Sequence, residues 1–156
     1  LVSQTQWERV AAHLREAVED GAEVLLGDPS PTLPEAGYRM EPVLLGRVTT
    51  QMRVAHNEVF GPVLSISTHR GEDDAVAIAN ATQYGLSAGV FAGDRDRAIA
   101  VARRIRSGTV HVNGLNSNPL APFGGFRQSG NGREYGELGL EEFLEVKSIQ
   151  PPAEEA

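Results

Sequence analysis

The sequence predicts an α/β fold: a small, mostly parallel sheet flanked by helices, with a further strand at its carboxy-terminal edge. Three observations predict it. Residues 62–113 alternate between strand-like and helix-like periods, with an apolar run from Pro62 to about Thr68, helical spacing over Glu72 to Ala81, a strand from Leu86 to Phe91, a helix from Arg95 to Ile105 and a strand from Thr109 to Asn113. Helical crossovers of this length favour parallel strands joined by right-handed connections. The 156 residues, 40% hydrophobic and 22% charged, suit one compact domain with one core.

The elements follow from local signals. Thr5 and Glu8 have the spacing of a capping box, and Trp7, Val10, Ala11, Leu14 and Val18 recur at helical intervals until Gly21 stops the pattern. Glu23 to Leu26 reads as a short strand, and Pro29, Pro31, Pro34 and Gly37 mark a loop leading to an extended segment over Tyr38 to Leu45. Asp94 is a suitable N-cap for the helix whose inner face is Ala98, Ile99, Ala102 and Ile105, and Gly108 supplies its stop. A long loop rich in Gly, Asn, Pro and Ser runs from Asn113 to Gly132, and loops of that length in compact domains are usually functional. A helix over Arg133 to Leu144, interrupted by Gly136 and Gly139, a strand near Val146 to Ile149 and an acidic, frayed tail over 151–156 complete the chain.

Composition removes several function classes. A formal net charge of −7 gives no general attraction to nucleic acid or anionic lipid, and Arg103, Arg104 and Arg106 sit at the end of a predicted helix, where cations complement the helix dipole. With no cysteine, the chain supplies neither disulfide, thiolate metal ligand nor thiol nucleophile. No apolar run reaches the roughly 18 residues that span a bilayer, and a soluble, cytoplasmic setting is expected. His13, His56, His69 and His111 are scattered without metal-ligand spacing, no GxSxG elbow presents a serine, and the pairs Asp73–Asp74 and Glu141–Glu142 read as helix-start or turn carboxylates. The chain opens on Leu1 and goes directly into a capped helix, which reads as a piece of a longer polypeptide.

Two segments carry chemistry. In Glu58 to Val63, EVFGPV, an extended backbone would project Glu58 and Phe60 from one face. A carboxylate beside a ring suits a nicotinamide riboside, accepting from the sugar hydroxyls while the ring packs on the heterocycle. The same residues also suit a solvated carboxylate beside a core phenylalanine. In Pro122 to Glu134, PFGGFRQSGNGRE, glycines at 124, 125, 130 and 132 allow close backbone approach, so Phe123 can be held over a pocket or can anchor the loop to the core. The segment is no phosphate cradle, for it has neither GxxxxGK[ST] nor GxGxxG spacing.

In order along the chain, LVSQ, GAEVLLG, GYRMEPVLL, NEVFGPVLSI, ANATQYGLSAGVFAGD, IRSGTVHVN, APFGGFRQSGNGREYG and GLEEFLEVKSI resemble the aldehyde dehydrogenase superfamily over nearly the whole length. The resemblance implies NAD(P)-dependent oxidation of a small-molecule aldehyde to a carboxylic acid: a cysteine thiolate attacks the carbonyl, hydride passes to the nicotinamide, and glutamate-activated water hydrolyses the thioester. In that family the cysteine and the general-base glutamate lie upstream of the segment matched here, which agrees with the absent cysteine. Residues 1–150 then resemble the carboxy-terminal part of the catalytic domain, inactive when isolated. Carried over, Glu58 accepts the nicotinamide ribose hydroxyls, Phe60 packs on the nicotinamide end of NAD or NADP, Phe123 lines the substrate entrance, and Gly114 to Leu120 forms another part of that tunnel. Arg127 stands where many relatives have lysine, and Asn57 where many have an acidic residue. The strand at about 145–150 would join a sheet across a homo-oligomer interface, with Lys147 guarding its edge. A non-catalytic module that joins full-length relatives is the alternative.

Overall fold

The computed structural model describes residues 1–115 and 118–152. The chain forms two compact units, Leu1–Gln83 and Tyr84–Ala156, where its length suggested one core. Both are α/β, and the expected parallel sheet is divided into two small sheets.

In the first unit, helix α1 (Gln4–Glu19) precedes β1 (Glu23–Leu26), β2 (Val43–Gly46), a 3-10 turn (Arg53–Ala55), β3 (Val63–Ser65) and α2 (Glu72–Ala79). The cap of α1 is Ser3 rather than Thr5: its side chain accepts the Gln6 N–H at 3.2 Å, and Trp7 N–H donates to the Ser3 carbonyl at 3.0 Å, so the helix gains part of a turn. Its buried face is Trp7, Val10, Ala11, Leu14 and Ala17, whereas Val18 is exposed. Spacings of three, four and three residues from Trp7 through Val10 and Leu14 lead to Ala17, and position 18 turns away from that stripe. The core closes where Val10, Leu14 and Ala17 meet Val43 and Leu45 of β2 with Val48, Met52 and Val54. Burying a side chain the size of Leu14 or Leu45 contributes about 1.5–3 kcal/mol. β2 is central, antiparallel to β1 and parallel to β3. Trp7 Nε1 donates to the Arg39 carbonyl at 3.1 Å, tying the proline-rich loop to α1.

In the second unit, β4 (Ser87–Val90) and β5 (Thr109–Val112) pair in parallel through α3 (Arg95–Ala102), the order expected from the sequence. Asp94 caps α3, accepting from Arg97 N–H at 2.7 Å, and Ala98 is fully buried. The expected helix over 133–144 is shorter, α4 (Gly136–Glu141), and Gly136 opens it instead of interrupting it. Gly136 takes φ +62°, and a Cβ there would strike the Leu120 carbonyl. Residues 145–150 form no strand: Val146 and Ile149 are almost fully exposed, and no described residue pairs with the segment. β-Branched residues such as Val146 and Ile149 favour extended backbone, but a strand exists only where a neighbour completes its ladder. Residues 153–156 of the acidic tail lie outside the described residues.

Candidate functional site

Glu58 and Phe60 lie in the loop between the 3-10 turn and β3. Phe60 adopts φ +53°, a left-handed conformation that costs a non-glycine residue about 1–2 kcal/mol. The segment is therefore not the extended ladder from which a shared face was inferred. Phe60 is also no core residue, since 73% of its surface is exposed. Glu58 is exposed and makes no hydrogen bond or ion pair with any described residue. Three contacts fix the loop beneath them. Val43 N–H donates to the Pro62 carbonyl at 2.9 Å, Gly61 lies so close to α1 that a Cβ would come within 2.6 Å of a Val10 methyl, and the Gln6 side-chain amide donates to the carbonyls of Val59 at 3.3 Å and Phe60 at 3.1 Å. An unpaired carboxylate and a bare ring thus stand on a tethered turn.

Phe123 belongs to the second unit. It forms an isolated antiparallel bridge with Glu134, each N–H donating to the other's carbonyl at 2.7 Å, and its ring lies 6.4 Å from that of Tyr135. The bridge ties Phe123 to the far end of its own loop rather than to the core, and 43% of it stays exposed and lines a cleft of about 590 Å³. Leu115, Pro119, Thr109, His111 and Tyr135 share that wall. Leu115 and Pro119 come from the 114–120 loop, of which Asn116 and Ser117 lie outside the described residues. The glycine-rich segment is docked at the start of β4, where the Gly85 carbonyl accepts from Gly108 N–H at 3.0 Å and Phe126 N–H at 2.9 Å, and Gly85 N–H donates to Ser129 Oγ at 3.0 Å. A Cβ on Gly108 would collide with the Gly124 carbonyl. Arg133 Nη1 donates to the Gly125 and Gly132 carbonyls at 3.0 and 2.8 Å, and its guanidinium lies 5.3 Å above the Phe126 ring.

The comparisons with known proteins bear on what this geometry serves. The sequence matches the aldehyde dehydrogenase family over residues 1–149. The chain belongs to that family. A putative aldehyde dehydrogenase of Staphylococcus saprophyticus is 45% identical over 150 residues, 96% of this chain and 32% of the relative. The fold superposes with a TM-score of 0.87 on a mutant of aldehyde dehydrogenase C of Pseudomonas syringae, solved with NAD+ and octanal, at 44% identity over 94% of this chain and 30% of that one. A Mycobacterium tuberculosis aldehyde dehydrogenase complexed with NAD+ superposes equally, at 36% identity over 100% of this chain and 32% of that one. The chain thus spans about a third of the length of the relatives it matches.

Within this aldehyde dehydrogenase segment, sequence reasoning missed Gln6, Arg133 and Asn113. Asn113, at φ +52°, pairs its side-chain amide with both backbone groups of Ala92, at 2.8 and 2.9 Å, closing the end of the β4–β5 sheet. Outside both segments of the sequence, Arg53 Nε and Nη2 grip the Asp20 carboxylate at 2.9–3.2 Å, pinning the 3-10 turn to the end of α1. Hydrogen bonds from the Arg53 side chain hold the Asp20 carboxyl below its ordinary value, and the same contact raises Arg53. Among the described residues no helix is long and apolar enough to cross a membrane.

Proposed function

We propose that this chain supplies the nicotinamide end of the NAD(P) site and one wall of the aldehyde entrance in an enzyme that oxidises an aldehyde to a carboxylic acid through a cysteine thioester. Phe60 carries the reading. A large ring left mostly in solvent, on a backbone in a strained conformation and tethered from α1, is the kind of outlier that concentrates at binding sites. Glu58, with no partner of its own, is free to accept the two ribose hydroxyls. The bound nicotinamide would supply the hydride acceptor. The residues of this chain would orient it, while Phe123, Leu115 and Pro119 would guide the aldehyde. Leu26, Leu44 and Leu64 stand in register across the three strands, with Leu26 and Leu64 more than 60% exposed, which supports a larger polypeptide around the sheet.

Because a carbonyl captured by sulfur needs a thiolate and this chain has none, the isolated chain is expected to be inactive toward a panel of aldehydes with NAD and NADP. Sustained NADH or NADPH formation by it would overturn the cysteine mechanism. Co-expression with the preceding two thirds of the unmutated Pseudomonas syringae enzyme, its cysteine intact, should restore turnover, and Phe60→Ala or Glu58→Gln should raise the KM for the cofactor. A restored enzyme indifferent to both would remove the assigned site. The exposed, unpaired segment 145–150 supports assembly through strand addition to a second copy; equal sedimentation of the chain and its Val146→Pro variant would remove that interface.

A further inference from the structure

We propose that Gln6 is a positioning residue for the nicotinamide end of the cofactor, holding the Phe60 backbone in its left-handed conformation; this rests on the role given above to Glu58 and Phe60. Ser3 and Gln6 have the spacing of a capping box, in which the side chain at the third helical position returns to the backbone N–H of the cap. Only half of that exchange is made. Ser3 Oγ accepts from Gln6 N–H, but the Gln6 side chain leaves its own helix and donates to Val59 and Phe60, 53 and 54 residues away.

Both acceptors are carbonyls, so only a donor serves. The isosteric glutamate would present a carboxylate to two carbonyl oxygens and repel them. Gly61 allows this close approach, because any Cβ would enter the space of the Val10 methyls one turn further along α1. Helix, amide and glycine therefore form one clamp: α1 sets the height of the turn, Gln6 fixes its peptide planes, and Phe60 projects above it.

The local and long-range roles of Gln6 oppose one another, which makes the clamp testable apart from folding. A glutamate at the third position of a helix completes a capping box and favours the helix dipole, so Gln6→Glu should melt no lower than the parent. The same substitution should release residues 59–61, with backbone order parameters from 15N relaxation falling from about 0.85 to below about 0.6. Gln6→Met, which removes the donor without adding charge, should do the same. Nicotinamide mononucleotide titrated into the parent should shift the amide resonances of Glu58 to Gly61, and both variants should bind it roughly tenfold more weakly. If residues 59–61 stay as ordered in both variants, the clamp is overturned whatever the ligand does. If they loosen but the parent shows no shifts at millimolar nicotinamide mononucleotide, the proposal falls with the nicotinamide reading, the clamp itself having behaved as described.

Discussion

Replacing Gly61 by alanine tests the join between α1 and the turn that carries Phe60. The added Cβ would lie 2.6 and 2.8 Å from the two methyl carbons of Val10, far inside the 3.5–4.0 Å at which carbon atoms attract, and Val10 is fully buried. Overpacking of this kind costs about 1–3 kcal/mol. Val10→Ala removes two buried methyl groups at about 0.8 kcal/mol each and leaves a void, for a cost of about 2–3 kcal/mol. In the double variant the new methyl at position 61 occupies the vacated space, so its cost should approach that of Val10→Ala alone, with a favourable coupling of about 1–3 kcal/mol. Equilibrium urea denaturation of the four proteins measures this. With a slope near 1 kcal/mol per molar, Gly61→Ala should lower the midpoint by about 1–3 M, and adding Val10→Ala should lower it little further than Val10→Ala does alone. Additivity within about 0.5 kcal/mol would refute the close approach.

Three further outcomes follow from the contacts. Asp20 has a depressed folded pKa, caused first by the Arg53 side-chain hydrogen bonds, so its stabilisation is present above the unfolded carboxylate value and lost as pH falls through the folded one. Asp20→Asn should accordingly flatten part of the acid limb of stability against pH, weakly because the pair is solvated; an unchanged limb would contradict the assignment. Gly108→Ala should cost about 1–3 kcal/mol through its collision with the Gly124 carbonyl, and a melting curve equal to the parent's would rule the contact out. Arg133→Met loses two charge-assisted bonds and the contact over Phe126, so chymotryptic cleavage after Phe123 and Phe126 should accelerate by roughly tenfold or more, with an unchanged rate counting against Arg133 as the staple.

Elements set by local chemistry were legible in the sequence. Asp94 caps α3, β1 begins and ends where its residues suggested, and the strand, helix, strand order of the second unit follows from apolar period alone. Boundaries moved where two local signals compete: Ser3 and Thr5 both offer caps to α1, and Ala17 and Val18 both continue its apolar pattern, so tertiary packing against β2 decides. Residues 145–150 carry the β-branched Val146 and Ile149 that favour a strand, but sequence describes one side of a ladder only, and the other side has to be provided by a neighbour.

The candidate site was legible in its residue types and illegible in its geometry, for one physical reason. Glu58, Phe60 and Phe123 announce themselves as a free carboxylate and two aromatics among glycines, but what holds them comes from far along the chain. Phe60 is held by Gln6 of α1, the Gly61 turn by Val10, and the loop after Phe123 by Gly85, Gly108 and Arg133. Gly61 and Gly108 look like a strand entry and a helix stop, roles that ask for conformational freedom. In the structure neither has positive φ; each is needed because another part of the chain occupies the space of its missing Cβ. A requirement for space depends on the neighbour, and no local pattern reports it. The Phe60 conformation has the same origin: a left-handed phenylalanine runs against its intrinsic preference and persists only where the surroundings over-determine it. Gly61 beneath it and Gln6 beside it are that surrounding, so the feature sequence reasoning could not foresee is the one on which the proposed cofactor contact depends.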